Sequence, residues 1–240
     1  MLGGRDVLSD RLKSLFGGGR RTPAAPQPQP APPGGVRTGA RSQAAHRQSS
    51  LRTSRGLEEF FHHIREQSGL TILDLGGASQ ENVSFITNLG HRLYSEDFLH
   101  ILEETFGLND TADQTNPGRI EYFLRQALDY PEGQFDGVLL WDSLEYLAPP
   151  LLAAVTDRLR KIVRPDGYML AFFHSDDKQE AVPLYTFRIQ SVNTLELVRQ
   201  GMHRPPQLFN NRNLEKLFGR FNSVKFFLTR EQLREVIVKT

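Results

Sequence analysis

The chain has no cysteine. Disulfides, thiolate metal sites and cysteine nucleophiles are therefore excluded, and a reducing compartment, the cytoplasm, is expected. Long hydrophobic runs are missing too. The longest apolar stretches, such as Tyr168 to Phe173, are strand-sized and far short of a membrane span. The first residues lack the apolar segment of a secretory signal. The seven histidines show no metal-ligand spacing: His62 and His63 face different sides of a helix, and His91 and His100 stand alone. No metal is expected. A G-x-G-x-x-G run is absent, with Glu81 where its last glycine would fall, and so is the G-x-S-x-G elbow of hydrolases.

Charge is present but unevenly placed. The formal net charge is +1, yet residues 1–56 hold 10 of the 29 basic residues and only Asp6 and Asp10 among the acids, a charge of +8. The remainder carries −7, so a basic tail precedes a mildly acidic globule. Such a globule suits a phosphate backbone poorly, and nucleic acid is not expected as its main ligand. Residues 17–56, with Gly17-Gly18-Gly19 and six prolines from Pro23 to Pro33, are too poor in apolar side chains to offset ordering entropy and read as disordered. Before them Val7, Leu8, Leu12, Leu15 and Phe16 share one helical face. Residues 5–16 are thus a short amphipathic helix, either transient or a weak anchor for an anionic membrane surface or a partner groove.

The folded domain is expected over residues 57–240. Leu57, Phe60, Phe61 and Ile64 have the spacing of an amphipathic helix. Strand 70–75, helix 80–89, strand 91–95 and a helix from Phe98 to Thr105 follow, then a short strand at Ile120 to Leu124. Phe135 to Trp141 reads as a buried strand, and Pro149-Pro150 opens a helix that Arg164-Pro165-Asp166-Gly167 stops before strand 168–173. Alternating strands and helices mean a mostly parallel sheet wound on both sides. Residues 174–211, with a small hairpin at Tyr185–Ile189 and Thr194–Val198, lie where such sheets carry a substrate cover. After a helix at Leu214–Phe218, Val224–Leu228 and Leu233–Val238 are too close for a parallel crossover and form an antiparallel hairpin.

Thr71 to Ser79 carries the chemistry. An apolar strand ends in Asp74 and breaks at Gly76-Gly77 before a helix, the place where open α/β sheets bind nucleotide-like ligands. A carboxylate at Asp74 repels a pyrophosphate but suits a cationic ligand. Three stretches together resemble class I S-adenosylmethionine-dependent methyltransferases of the type 11 or ubiquinone-biosynthesis kind. They are Leu73-Asp74-Leu75-Gly76, then Phe135-Asp136-Gly137-Val138-Leu139-Leu140-Trp141-Asp142-Ser143-Leu144-Glu145-Tyr146-Leu147, then Leu159 to Gly167 with Tyr168-Met169-Leu170. The terminal hairpin is also that family's ending. The resemblance implies a Rossmann-like α/β fold, S-adenosylmethionine as cofactor, and methyl transfer to a small-molecule acceptor.

Roles follow for single residues. Gly76 and Gly77 let backbone approach the cofactor, with Ala78 beside them where the family often has a further glycine. Asp74 attracts the methionyl ammonium. Glu96 or Asp97, after the second strand, accepts from the ribose hydroxyls, unless Asp97 only caps the next helix. The family often has an acid after its third strand for the adenine amino group, and alignment puts Arg125-Gln126 there, so Gln126 is the candidate. Trp141 is a cofactor wall or ordinary core. Asp142 is a polar group on the substrate side, and His174 is a general base or a solvated loop histidine. A non-catalytic module that binds a protein partner, and a protein or nucleic-acid methyltransferase using the basic tail, remain the alternatives.

Overall fold

The structure, a computed structural model, describes residues 49–107, 111–175, 180–207, 209–227 and 233–240. The helix expected at residues 5–16 and the rest of the basic tail to residue 48 lie outside the described residues. The fold starts earlier than the sequence indicated. Residues 49–56, assigned to the tail, form β1 (Ser49–Thr53) and the first turn of α1 (Arg55–Ile64). Arg52 explains the difference. Its guanidinium donates to Glu235 Oε1 (3.1 Å) and to the Leu233 carbonyl (3.0 Å), and both charged side chains are buried. Composition counts Arg52 as solvated, whereas here it neutralises an interior acid contributed from the far end of the chain.

In α1 the Ser54 side chain accepts from Leu57 N, and Leu57, Phe60, Phe61 and Ile64 are buried as their spacing requires. β2 (Thr71–Asp74), α2 (Gln80–Asn88), β3 (Arg92–Ser95) and α3 (Phe98–Phe106) come next. The strand expected at Ile120 to Leu124 is instead the middle of α4 (Pro117–Ala127). Asn116 Oδ1 accepts from Gly118 N and Arg119 N, and Pro117 takes the first turn. Ile120, Phe123, Leu124 and Ala127 then face the core at helical spacing. β4 (Phe135–Trp141), α5 (Pro149–Ile162), β5 (Val163–His174), β6 (Val182–Ser191), β7 (Thr194–His203), α6 (Asn211–Leu217), β8 (Ser223–Phe227) and β9 (Leu233–Lys239) complete the order.

Six strands form one sheet in the order β3-β2-β4-β5-β9-β8. The first four run parallel, and β9 and β8 are antiparallel. This is the Rossmann-like, mostly parallel α/β sheet with a C-terminal antiparallel hairpin. Its central strands are apolar on both faces. Leu73, Val138, Leu140, Met169 and Ala171 pack with α3, α4 and α5, while Ile72, Leu139, Leu170 and Phe172 pack with α1. A second sheet, β1-β7-β6, is built on the expected hairpin, with β1 added along β7. No helix among the described residues is long and apolar enough to cross a membrane.

Candidate active site

Strand order reverses at the β2–β4 pair, and ligands of such sheets lie outside the strand carboxyl ends at that point. The chain leaves β2 through Leu75, Gly76 and Gly77 and enters α2, where the Ser79 side chain accepts from Asn82 N (3.1 Å). Gly77 has φ +80°, a conformation open to glycine. Gly76 is needed for a different reason: a Cβ there would sit 2.7 Å from the indole of Trp141. Ala78 is exposed and is not among the residues with positive φ, so alanine fits the loop.

Asp74 is fully buried, and both carboxylate oxygens are engaged. Oδ1 accepts from Gly76 N (2.9 Å) and from Trp141 Nε1 (2.6 Å), and Oδ2 accepts from Asn82 Nδ2 (2.9 Å). Burial raises its pKa above the ordinary carboxylate value, and the three donors pull it back. In this closed arrangement Asp74 organises the loop from inside.

Trp141 is 1% exposed and lines the cleft. It ends β4 at φ 52°, a left-handed conformation that costs a non-glycine residue about 1–3 kcal/mol. Its bond to Asp74 and its stack on Phe187 of β6 hold it there, with ring centroids 5.1 Å apart and planes at 4°. β6 is latched to α2 in turn. Asn82 Nδ2 donates to the Phe187 carbonyl (3.1 Å), Ile189 N donates to Asn82 Oδ1 (2.8 Å), and Arg188 pairs with Glu81 (3.3 Å). The hairpin therefore closes over the glycine loop. The cleft that remains, bordered by Gly76, Asp97, Trp141, Asp142 and Tyr185, has a volume of 140 Å³.

Across the loop, Gly77 N donates to the Glu96 carbonyl (3.0 Å), which ties the glycines to the end of β3. Asp97 both lines the cleft and caps α3, accepting from His100 N (3.1 Å). Glu96 accepts from the Tyr130 hydroxyl, and burial together with this acid raises the tyrosine pKa. Gln126 is exposed on the last turn of α4 and does not border the cleft. Its adenine-reading role rested on a strand at residues 120–124 and is withdrawn with it.

Beyond β4 lies a buried polar cluster. The Tyr146 hydroxyl donates to Asp142 Oδ2 (3.0 Å). Burial, then the charge of Glu145, pushes the Asp142 pKa up to about 7, against the pull of His174 and Tyr146. Glu145 Oε1 accepts from His174 N (2.6 Å), and Oε2 lies 2.6 Å from His174 Nδ1. His174, at the end of β5, is thus a buried partner of an acid. Its Nε2 has no hydrogen-bond partner among the described residues. The Tyr185 ring lies nearly parallel to the imidazole, at 6.3 Å and 15°.

Asn82 and Glu145 had no role in the sequence reading. Asn82 stands in the first turn of α2, three residues after Ser79, and Glu145 three residues after Asp142 in the turn that follows β4. The first offset brings a side chain back to Asp74 at the end of β2, and the second brings one across to His174 at the end of β5.

A glycine loop after the first parallel strand, acids after the next, and polar clusters after β4 and β5 define a class I methyltransferase-type crevice. The chain belongs to the methyltransferase domain family, whose model matches residues 44–223. Among solved structures it is similar to a 1,6-didemethyltoxoflavin-N1-methyltransferase of Burkholderia thailandensis, bound to 1,6-didemethyltoxoflavin and S-adenosylhomocysteine. The two are 15% identical over 77% of this chain and 76% of that one, with a TM-score of 0.43. A S-adenosylmethionine-dependent methyltransferase of Methanosarcina mazei is 14% identical over 75% and 96% of the two chains, with a TM-score of 0.45. The glycopeptide N-methyltransferase MtfA, complexed with S-adenosylhomocysteine, is 15% identical over 77% and 87%, with a TM-score of 0.42. No curated protein sequence matches the chain.

Proposed function

We propose that the chain binds S-adenosylmethionine over Gly76 and Gly77 and directs methyl transfer to a small-molecule acceptor. The carrying observation is the loop itself. A positive-φ glycine stands between a buried strand-end acid and a helix N-terminus, with the Asp97 carboxyl beside it. The residues fit this cofactor. Asp97, with Glu96 next to it in sequence, borders the cleft and can accept from the ribose hydroxyls, and Trp141 can form the wall. The loop carbonyls are left for the methionyl ammonium, because the N–H groups of Gly76 and Gly77 are bonded to Asp74 and Glu96. The volume does not fit while the hairpin is down, because 140 Å³ is about half the smallest usual small-molecule site. Binding therefore requires Trp141 and β6 to withdraw from the glycine loop.

The cofactor supplies a methyl carbon made electrophilic by its sulfonium. The chain's part is alignment and the exclusion of water, the main source of rate for such a displacement. Asp142 borders the cleft on the acceptor side. A base is required only where the acceptor must lose a proton. A cysteine-free chain of this kind works in the cytoplasm on this reading.

One observation favours a second reading. The saturated Asp74 and the latched hairpin suit a methyltransferase-like module that binds a protein partner without catalysis. Calorimetry with S-adenosylmethionine, repeated with S-adenosylhomocysteine, separates the two. Binding that weakens in Asp97→Ala is the expected result; no heat with either compound supports the partner-binding module.

A further inference from the structure

A second pocket lies beside the cofactor cleft, and the proposed function leaves it unused. It has a volume of 320 Å³ and is bordered by Leu51 and Arg52 of β1, His174 of β5, Tyr185 of β6, Leu197 of β7 and Leu233 of β9. That volume falls within the usual range for small-molecule sites, and Leu51, Leu197 and Leu233 give it an apolar wall beside the polar groups of Ser50, Arg52, His174 and Tyr185. Leu51 is 70% exposed, an apolar side chain left open to solvent. Tyr185 borders both this pocket and the cofactor cleft, so the two spaces meet at one ring.

We propose that this pocket receives the methyl acceptor, a small molecule with an apolar body and one acidic O–H or N–H, and that His174 takes its proton at Nε2 while Glu145 holds the imidazole. This rests on the methyltransferase reading. The chemistry follows from the two ends of the ring. Nδ1 lies 2.6 Å from Glu145 Oε2, which fixes the tautomer with the proton on Nδ1 and leaves Nε2 as the acceptor. Nε2 is buried without a hydrogen-bond partner among the described residues, a state that is unfavourable unless a ligand group supplies the bond. On transfer the acceptor's O–H or N–H bond breaks and an Nε2–H bond forms. The positive charge then on the ring faces the Glu145 carboxylate, which is itself anchored by His174 N. Glu145 touches no ligand and is a positioning residue.

Other charged and titratable groups bear on the ring from each element around it. Asp142 and Tyr146 come with Glu145 from the turn after β4, and Tyr185 comes from β6. Arg52 shares the pocket but is committed to Glu235. Arg234 of β9 donates to the Phe209 carbonyl, and His203 packs on Tyr146 with centroids 4.5 Å apart. Glu145 is the acid bonded to the ring.

The test uses para-nitrophenol, whose phenol and phenolate forms differ in colour, added to the full chain without cofactor. At a pH where the free compound is mainly phenol, wild-type protein is expected to bind it and raise the phenolate band. His174→Gln is expected to abolish that rise. Glu145→Gln is expected to keep binding but to move the midpoint of the rise upward by about one pH unit, roughly a tenfold loss of base strength. Nitrogen NMR of the wild-type histidines guards against a misfolded variant: the His174 Nε2 resonance is expected to shift as the probe is added. A wild-type protein that leaves both the band and that resonance unchanged overturns the proposal, as does a His174→Gln variant that matches wild type. Trp141 emission on adding S-adenosylhomocysteine reads the cofactor site separately. A change there without a phenolate signal removes only the acceptor pocket; a phenolate signal without that change removes the cofactor reading and, with it, the assignment of the bound compound as a methyl acceptor.

Discussion

Asn82→Ala tests how the hairpin is held over the glycine loop. The amide bridges three partners: it donates to Asp74 Oδ2 and the Phe187 carbonyl and accepts from Ile189 N, at 2.9, 3.1 and 2.8 Å. With alanine in place, the Phe187 carbonyl and the Ile189 N–H lose their α2 partners. Each costs about 1–3 kcal/mol if it stays buried and unpaired. Opening of the hairpin limits that cost by letting water reach both groups. We therefore expect a closed-state loss of about 2–4 kcal/mol, which raises the open fraction by at least about tenfold. Hydrogen exchange reads this directly: the Ile189 amide is expected to exchange faster in the variant, while amides of β4 and β5 keep their protection. Association of S-adenosylhomocysteine, followed by Trp141 emission, is expected to accelerate in step. An Ile189 amide as protected as in wild type would refute the latch, whatever the melting temperature does.

Asp142 is expected to make stability fall as pH rises. The unfolded group titrates near 3.8 and the folded one near 7, so its contribution is complete below the lower value and lost on the way to the upper one. Urea midpoints across this range should fall more steeply in wild type than in Asp142→Asn, by an amount on the order of 4 kcal/mol at most. Arg52→Met strands the buried Glu235 charge and is expected to cost about 3–5 kcal/mol in urea unfolding, with part regained in the double variant Arg52→Met, Glu235→Leu. Gln126→Leu changes an exposed position on α4, and calorimetry is expected to show unchanged cofactor affinity; a loss of about 1–2 kcal/mol would restore its adenine role.

The sequence carried most of the sheet because its strands are apolar runs closed by glycine, proline and acids. Phe135 to Trp141 and the Val224–Leu228 and Leu233–Val238 pair admit few other readings. Residues 120–124 failed for a local reason. Ile120, Phe123 and Leu124 fit a short strand or a helix equally, and the Asn116-Pro117 start that decides for helix lies just outside that window. Arg52 failed for a distant one, since only the fold reveals that its partner is Glu235. The candidate site was legible as a place, with Asp74, Gly76, Gly77, Asp97, Trp141, Asp142 and His174 all at strand ends. What each does there depended on partners that spacing does not disclose. Asn82 saturates Asp74, and Glu145 turns His174 from a loop residue into half of a buried pair.

Trp141 is the only tryptophan in the chain, and it stands between Asp74, Gly76 and the hairpin. Titration of the full-length protein with S-adenosylhomocysteine, read by Trp141 emission and by calorimetry on the same sample, therefore tests the central claim most directly. We expect both signals to saturate together, with the emission moving as the indole leaves Phe187 and Asp74. No heat and no change in emission would contradict cofactor binding at the glycine loop.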